Sequence, residues 1–391
     1  MFNQGRHKVA RILRKIARRI TPSANSGVVF GDIGIEKLGN APRALVIFSI
    51  PGPERYVRGI KDDPLWDKHT VYWESVEIIR QLNAHGFVVD YADNRLQFSG
   101  DWTKYSLVID GSDNLKNALK GQKKIHYATY THWLTWNQAE LQRIQWFKDR
   151  TGIVIPMNRQ FPAIMSDEYA DHLTYYGTQV QADSFSSKPI KHQLNISAVR
   201  VPEYRLKQVE TARKHFLWLG GGGMVHKGLD LAMEAFMRLP YHLHIAGNMR
   251  AEPEFWNWAK QVIEKHHNIH EEGWCDVSSP AFDSLASKCI GIVYPSAAEG
   301  GPGSVAQAIH WGLIPIVTKS ALVRAETLGL MSTGTTDGEL IESITNDVQT
   351  VANRSSKELS DQSDAVVDFA LKNHTRDAYT KSLSAFLDIL S

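Results

Sequence analysis

Two periodicities alternate along the chain. A short apolar run over 44–50 (ALVIFSI) has the character of a buried strand. It is followed over 70–85 by helical spacing through Val71, Ser75, Ile78, Ile79 and Leu82, with Gly86 placed to stop the helix. Further strand-like runs lie at 87–92, 106–110, 124–131 and 152–156, with a helix over about 137–150 before the last. The stretch 196–214 loses the rhythm and reads as a crossing between halves. A second series then begins, with strands over 215–220, 242–247, 291–296 and 313–318. Helices over 229–238, 254–266 and near 305–311 alternate with them, and more helix runs toward the C-terminus. There is no short tandem repeat. Such alternation predicts parallel sheets covered on both faces, hence an α/β protein of two doubly wound domains facing a central cleft. The boundaries predicted are 28–198 and 199–372, with a terminal helix over 373–391 placed to cross back to the first domain. In such sheets ligands sit beyond the carboxyl ends of the strands.

Charge adds a separate feature. The 391 residues carry 44 Lys and Arg against 42 Asp and Glu, a net charge of +2. Seven of the basic residues and none of the acidic ones lie within 1–20, so this head carries +7 and the remainder −5. A basic nucleic-acid-binding body is therefore not expected. On a helical wheel Val9, Ile12, Leu13, Ile16 and Ile20 fall within an arc of about 100°, opposite Arg11, Arg14, Lys15, Arg18 and Arg19. The pattern predicts an interfacial helix on an anionic membrane surface. A transit peptide, a basic arm for nucleic acid, or a helix packed on its own domain are the competing readings. Residues 22–27, rich in Pro, Ser, Asn and Gly, read as a linker. No run approaches the roughly 18 apolar residues of a membrane span, and there is no secretory h-region. The two cysteines, Cys275 and Cys289, suit a reducing compartment. The expected location is cytoplasmic, peripheral on the inner face of the membrane.

Candidate chemistry concentrates in the second half. In LWLGGGGMVHKGLD (217–230) the glycines Gly220, Gly221, Gly222 and Gly223 follow a strand and precede a helix, where the backbone can approach a ligand closely. They do not make a G-x-G-x-x-G fingerprint, and Lys227-Gly228 is the reverse of the order a P-loop needs. Lys227 at a helix N-terminus opposes the macrodipole unless an anion binds there; a lysine pointing into water is the alternative. In YPSAAEGGPGSVAQAIHWGLIPIVT (294–318) the loop Gly300-Gly301-Pro302-Gly303 feeds a helix starting near Ser304, whose free N–H groups suit a diphosphate. Glu299, just outside that helix, is placed to reach neutral hydroxyls.

This second segment resembles the signature of the retaining family 4 glycosyltransferases of the GT-B fold, two Rossmann-like domains around a cleft. The pattern P-S-x-x-E-G-x-P-x4-E-A-x-x-x-G-x-P-V-V is matched by Pro295, Ser296, Glu299, Gly300, Pro302, Ala308, Gly312, Pro315 and Val317. HKGLDLAMEAF (226–236) is similar to the family's K-G-x6-A-F stretch, and the style of the glycine loop is closest to a capsule or surface-polysaccharide branch. The resemblance spans about 215–320. It implies transfer of a sugar, with retention, from a nucleoside-diphosphate sugar to a glycan or lipid-linked acceptor, without metal or other cofactor. It assigns Lys227, the glycine loop and the amides near Ser304 to the diphosphate, and Glu299 to the donor sugar. Two positions depart from the family. Its phosphate-binding arginine, five residues before the lysine, is Gly222. Its second glutamate, which holds the ribose, is Gln307, for which an S-x-x-Q capping box with Ser304 is the local alternative.

In the first half the strand KIHYATYT runs into His132, and the resemblance makes this histidine the candidate facing the anomeric centre. Asn137, Glu140 and Arg143 read as an exposed helix face. The chain contains no D-x-D, H-E-x-x-H or C-x-x-C, so a metal-dependent transferase or a zinc enzyme is not expected. His266, His267 and His270 read as a solvated helix end. Glu299 has no evident partner for glycoside hydrolysis. The rival is a non-catalytic nucleotide- or glycan-binding protein, with Gly222 and Gln307 in its favour.

Overall fold

The computed structural model describes residues 27–60, 63–203, 207–321 and 328–390. The basic head falls outside them. Two sheets organise the chain. The first contains β1 (Val28–Ile33), β2 (Arg43–Phe48), β3 (Val88–Asp93), β4 (Leu107–Asp110), β5 (Lys123–Tyr127), β6 (His172–Tyr175) and β7 (Ile190–Gln193), in the order β1-β3-β2-β4-β5-β6-β7. All pairs are parallel except β1 with β3. The second contains β8 (His215–Gly220), β9 (His242–Gly247), β10 (Ile269–Gly273), β11 (Gly291–Tyr294), β12 (Ile314–Thr318) and β13 (Leu330–Ser332), all parallel, in the order β10-β9-β8-β11-β12-β13. The strand order reverses between β8 and β11, the switch point where such sheets open a crevice for ligands. The apolar runs of β2, β8, β11 and β12 are buried because helices cover both faces.

Helix α1 (Thr70–Ala84) covers the first sheet, and α2 (Trp133–Thr151) leaves it. The second sheet carries α3 (Leu229–Phe236), α4 (Pro253–Lys265), α5 (Pro280–Lys288), α6 (Gly303–Ala308), α7 (Asp337–Ala352) and α8 (Ser356–Asn373). The last helix, α9 (Arg376–Leu390), sets Tyr379, Leu383, Phe386 and Leu387 into the core of the first sheet. There the Tyr379 hydroxyl lies 2.7 Å from that of Tyr127.

Several elements differ from those read off the pattern. Residues 152–156 are not a strand. Helix α2 buries Phe147 in the core of the second domain, and the chain after Gly152 (φ 73°) is an extended return path. The strands completing the first sheet are β6 and β7, whose sequences HLTY and IKHQ are too short and polar to show a period. Strands β1, β10 and β13 are likewise additions. Glu140 and Arg143 are buried instead of exposed: Glu140 accepts the Arg159 N–H at 2.7 Å and Arg143 donates to the Pro295 carbonyl at 3.0 Å.

His270 belongs to strand β10 and not to a helix end. With His215, His242 and His244 it forms a stacked array on one face of β8, β9 and β10, with His215–His244 and His242–His270 nitrogen contacts of 2.9 Å. Burial, reinforced by the neighbouring histidines and Lys288, lowers His215 to about 4; burial with Lys288 and His270, against the Glu272 contact, lowers His244 to about 4. A base depressed from 6.5 stabilises the fold fully above its unfolded value and loses that contribution as pH falls toward the folded one. The melting temperature is therefore expected to fall between pH 6.5 and 4, and His244→Gln to flatten that slope. An unchanged slope in scanning calorimetry would remove the array as its cause.

Candidate functional site

The carboxyl ends of β8 and β11 deliver two loops to the crevice between the sheets. The cleft has a volume of about 960 Å³ and walls from both domains. From β8 the chain runs through the glycines to Lys227, and Gly228 must turn in the left-handed region (φ 69°). A Cβ at Gly228 would stand 2.3 Å from the Pro295 carbonyl oxygen, so only glycine lets the two loops touch. From β11 come Tyr294, Ser296 and Glu299.

These side chains converge on one oxygen. Glu299 Oε1 accepts from Lys227 Nζ at 2.9 Å, from the Tyr294 hydroxyl at 2.8 Å and from Ser296 Oγ at 3.0 Å. Lys227 Nζ also donates to the Tyr294 hydroxyl at 2.5 Å and lies 5.2 Å from its ring centroid. All three bonds end on Oε1, which leaves Oε2 for a ligand. Burial opposes the charge on Glu299, but Lys227 and the hydrogen bonds from Lys227 and Tyr294 outweigh it and hold the carboxyl well below its ordinary range. The Glu299 carboxyl is ionised across the neutral range. His226 is stacked on Trp136 (centroids 4.5 Å apart) and bonds the Ala298 carbonyl at 2.8 Å; burial lowers it to about 4, so it is neutral.

The first domain buttresses the β11 loop. Thr131 Oγ1 donates to the Glu299 carbonyl, and a Cβ at Gly300 would stand 2.2 Å from the Thr129 carbonyl oxygen. Across the cleft stands His69, the residue before α1, whose Nδ1 accepts the Val71 N–H at 3.2 Å. It is open to solvent yet walled by both domains, and that enclosure together with the charge of Lys227 lowers its pKa. Lys68 reaches across to Asp276 in the loop after β10.

Of the residues singled out by sequence, Gly221, Gly222, Lys227, Glu299, Gly301, Gly303, Ser304 and Gln307 line this cleft. Gly303 and Ser304 precede the first helical amide bond, Val305 N–H to the Pro302 carbonyl at 2.9 Å. Four assignments change. His132 is not on the cleft wall: its ring packs 5.6 Å from Phe185, with Nε2 4.0 Å from Asp167, because the chain turns into α2 there. His69 is the histidine of the first domain that faces Lys227. The amides of Gly223 and Met224 are held by the Glu252 carboxylate, at 2.6 and 3.2 Å. Gly300 is buried against Thr129. Gln307 makes no capping box. Its carboxamide oxygen accepts from Val199 and Arg200 N–H at 2.8 and 3.1 Å, and its nitrogen donates to the Arg200 carbonyl at 2.6 Å. It fastens the crossing between domains. Tyr294, His69 and Glu252 were missed because their roles depend on strands and loops distant in sequence. Tyr294 alone left a signal, as the last residue of a buried strand at the switch point.

Among the described residues no group of three or more His, Cys, Asp or Glu side chains is arranged to hold a metal, and no helix is long and apolar enough to cross a membrane.

No protein-family model and no curated protein sequence matches the chain. Solved structures do. The Anabaena protein Alr3699/HepE, solved in complex with UDP and glucose, superposes with a TM-score of 0.55 at 11% identity, over 89% of this chain and 99% of that one. WaaG, a glycosyltransferase involved in lipopolysaccharide biosynthesis, gives 0.51 at 12% identity, over 89% and 99%. WaaB, a lipopolysaccharide outer core galactosyltransferase, gives 0.51 at 12%, over the same shares. The shared architecture, two α/β domains with parallel sheets about a cleft, is the GT-B fold.

Proposed function

We propose that the cleft is the active site of a glycosyltransferase, which moves a sugar from a nucleoside-diphosphate sugar to a hydroxyl of a glycan or lipid-linked acceptor. The observation that carries this reading is the buried Lys227–Tyr294–Glu299 node at the β8/β11 switch point, facing His69 across the cleft. As the glycosidic bond breaks, negative charge grows on the departing diphosphate. Lys227 and the amides of Gly221, Gly222, Gly303 and Ser304, all on the cleft wall, would be the donors that meet it. Glu299 Oε2 would orient sugar hydroxyls, and His69 would stand near the reacting face or the acceptor. Enclosure by the two domains would keep out water, which otherwise competes as acceptor. Retention of configuration, independence of metal and a role in surface-polysaccharide assembly belong to the same proposal.

The test is a panel of UDP-, GDP-, ADP- and dTDP-sugars, read by nucleotide release and by NMR of the anomeric proton, with and without EDTA. Release of one nucleoside diphosphate, unaffected by EDTA and with the anomeric configuration kept, is the expected result. Binding without release would favour the non-catalytic reading, which the engagement of Gln307 and of the Gly223 and Met224 amides supports. NAD binding with no affinity for any nucleotide sugar would sink both.

The proposal extends to the head. Its +7 charge and apolar arc would hold the catalyst on an anionic membrane, where a lipid-linked acceptor is confined. Flotation with anionic liposomes should be lost on deleting residues 1–20; flotation that survives the deletion excludes the anchor.

A further inference from the structure

The charge balance of the cleft singles out one cation. Four Lys or Arg side chains line it: Lys68, Arg95, Arg159 and Lys227. Three are neutralised, Lys227 by Glu299 at 2.9 Å, Arg95 by Asp93 at 2.6 Å, and Lys68 by Asp276. Arg159 forms no ion pair with a described carboxylate, and its Nε is buried without a hydrogen-bond partner. The planar arginine fork gains most from an anion that offers two oxygens to its parallel N–H donors, as a carboxylate or a phosphate does.

Its backbone is clamped while its head is free. The Arg159 N–H donates to Glu140 at 2.7 Å, and its carbonyl accepts from Trp136 Nε1 at 2.6 Å. The guanidinium carbon lies 5.5 Å from the Trp136 ring centroid. The aliphatic stem crosses the glycine loop so closely that a Cβ at Gly223 would stand 2.6 Å from Arg159 Cγ. The left-handed Gly223 (φ 74°) is thus also the seat of this side chain. Beside it the loop offers room but no charge: a Cβ at Gly221 meets nothing within 4 Å, and one at Gly222 meets only Glu252 Oε1 at 3.7 Å. The field of Arg159 also reaches into the node, where it opposes protonation of His226.

We infer that Arg159, from the segment returning to the first domain, is the cation that binds the diphosphate of the donor, in place of any charge carried by the glycine loop. The inference rests on the proposed nucleotide-sugar site. Lys227 is compensated by Glu299, so a bound diphosphate would otherwise meet amides and one neutralised ammonium. Arg159, which feels the Glu140 carboxylate without forming an ion pair with it, supplies a cation with an open N–H donor on a preorganised stem. Because α2 packs on the second domain while the chain after residue 165 belongs to the first, binding there also draws on the contact between domains.

The experiment is calorimetric titration of the full chain with UDP, GDP and ADP, and with the nucleoside of whichever binds. Arg159→Gln should weaken the diphosphate by about 10- to 100-fold, the range for a charged hydrogen-bonded contact, and leave the nucleoside unchanged. Arg159→Lys should recover part of the loss. Gly222→Arg, added to Arg159→Gln, should restore at least about tenfold by placing the charge on the loop, which a merely structural role for Arg159 does not predict. Equal weakening of nucleoside and diphosphate, or no weakening, overturns the inference and leaves the proposed function standing. If wild type binds none of the three diphosphates, both fall.

Discussion

Glu299→Gln is expected to cut sugar transfer by about 10²- to 10³-fold while tightening the nucleoside diphosphate product several-fold. The two effects have opposite signs because Glu299 faces two ways. Its Oε1 neutralises Lys227, and its Oε2, which takes no part in those bonds, is the oxygen proposed for the sugar. Glutamine keeps the shape and can still accept from Tyr294 and Ser296, so the loop is preserved. It removes the charge that Lys227 now satisfies, and it offers the sugar a weaker acceptor. Lys227→Ala should do the reverse to the product. It removes a donor to the leaving group and leaves the Glu299 carboxylate buried without its cation, so diphosphate binding and turnover fall together. That variant should also lose stability, by about 3–5 kcal/mol for a broken buried pair, whereas Glu299→Gln, which strands the Lys227 ammonium but keeps an oxygen to accept from it, should lose less. Product affinities from titration and kcat/KM from nucleotide release separate the cases. If Glu299→Gln weakens the diphosphate as much as Lys227→Ala does, Glu299 is itself part of the diphosphate site and its assignment to the sugar is wrong.

How far the site could be read in advance depended on whether its parts lie close together in the chain. Lys227 and Glu299 each end a strand–loop–helix unit, and small residues around them mark a backbone that must approach something. That information is local, and the structure brings the two into contact. Gln307 could not be placed this way. A capping box and a ribose contact are both reasonable from its neighbours, but its amide is taken by Val199 and Arg200, more than a hundred residues earlier. His132 failed for a related reason. The pattern predicted strand through residue 131, but β5 ends at Tyr127 and the chain turns before the histidine, which moves it off the cleft wall. His69 carried no signal, since it only precedes a helix. In the fold, long apolar strands with helices between them were legible. The short polar strands β6, β7 and β10 were not, because they are held by neighbours on the sheet and not by their own periodicity. Helix α2 shows the same limit most clearly. Its residues read as solvent-exposed because polar side chains at i, i+3 and i+6 usually are, yet Asn137 and Glu140 hold the backbone of Phe161 and Arg159, and Arg143 bonds Pro295 of the second domain.

That helix carries an expected effect on stability as large as that of Lys227→Ala. Arg150, at the end of α2, bonds Glu234 at 2.8 Å, Asp337 at 2.7 Å and Asp230, joining α2 to α3 and α7. Burial raises the Asp230 carboxyl, and even with Arg150 and Arg143 opposing this it stands at about 6. Arg150→Met should therefore cost about 3–5 kcal/mol at pH 8, since it strands one buried and two half-buried carboxylates. The pH dependence fixes the cause. A carboxyl whose folded pKa lies above its unfolded value of 3.8 keeps its proton in the native state, so its burden on stability is greatest at high pH and fades as pH falls through the folded value. Without Arg150 that value rises further, and the deficit of the variant should shrink between pH 8 and 5. Asp230→Asn in the same background should recover part of the loss at pH 8 and little at pH 5. Urea denaturation at the two pH values measures all of this. A deficit below about 1 kcal/mol would make the cluster an ordinary surface ion pair, and a deficit equal at both pH values would assign the loss to packing of the arginine stem instead of to the charge it compensates.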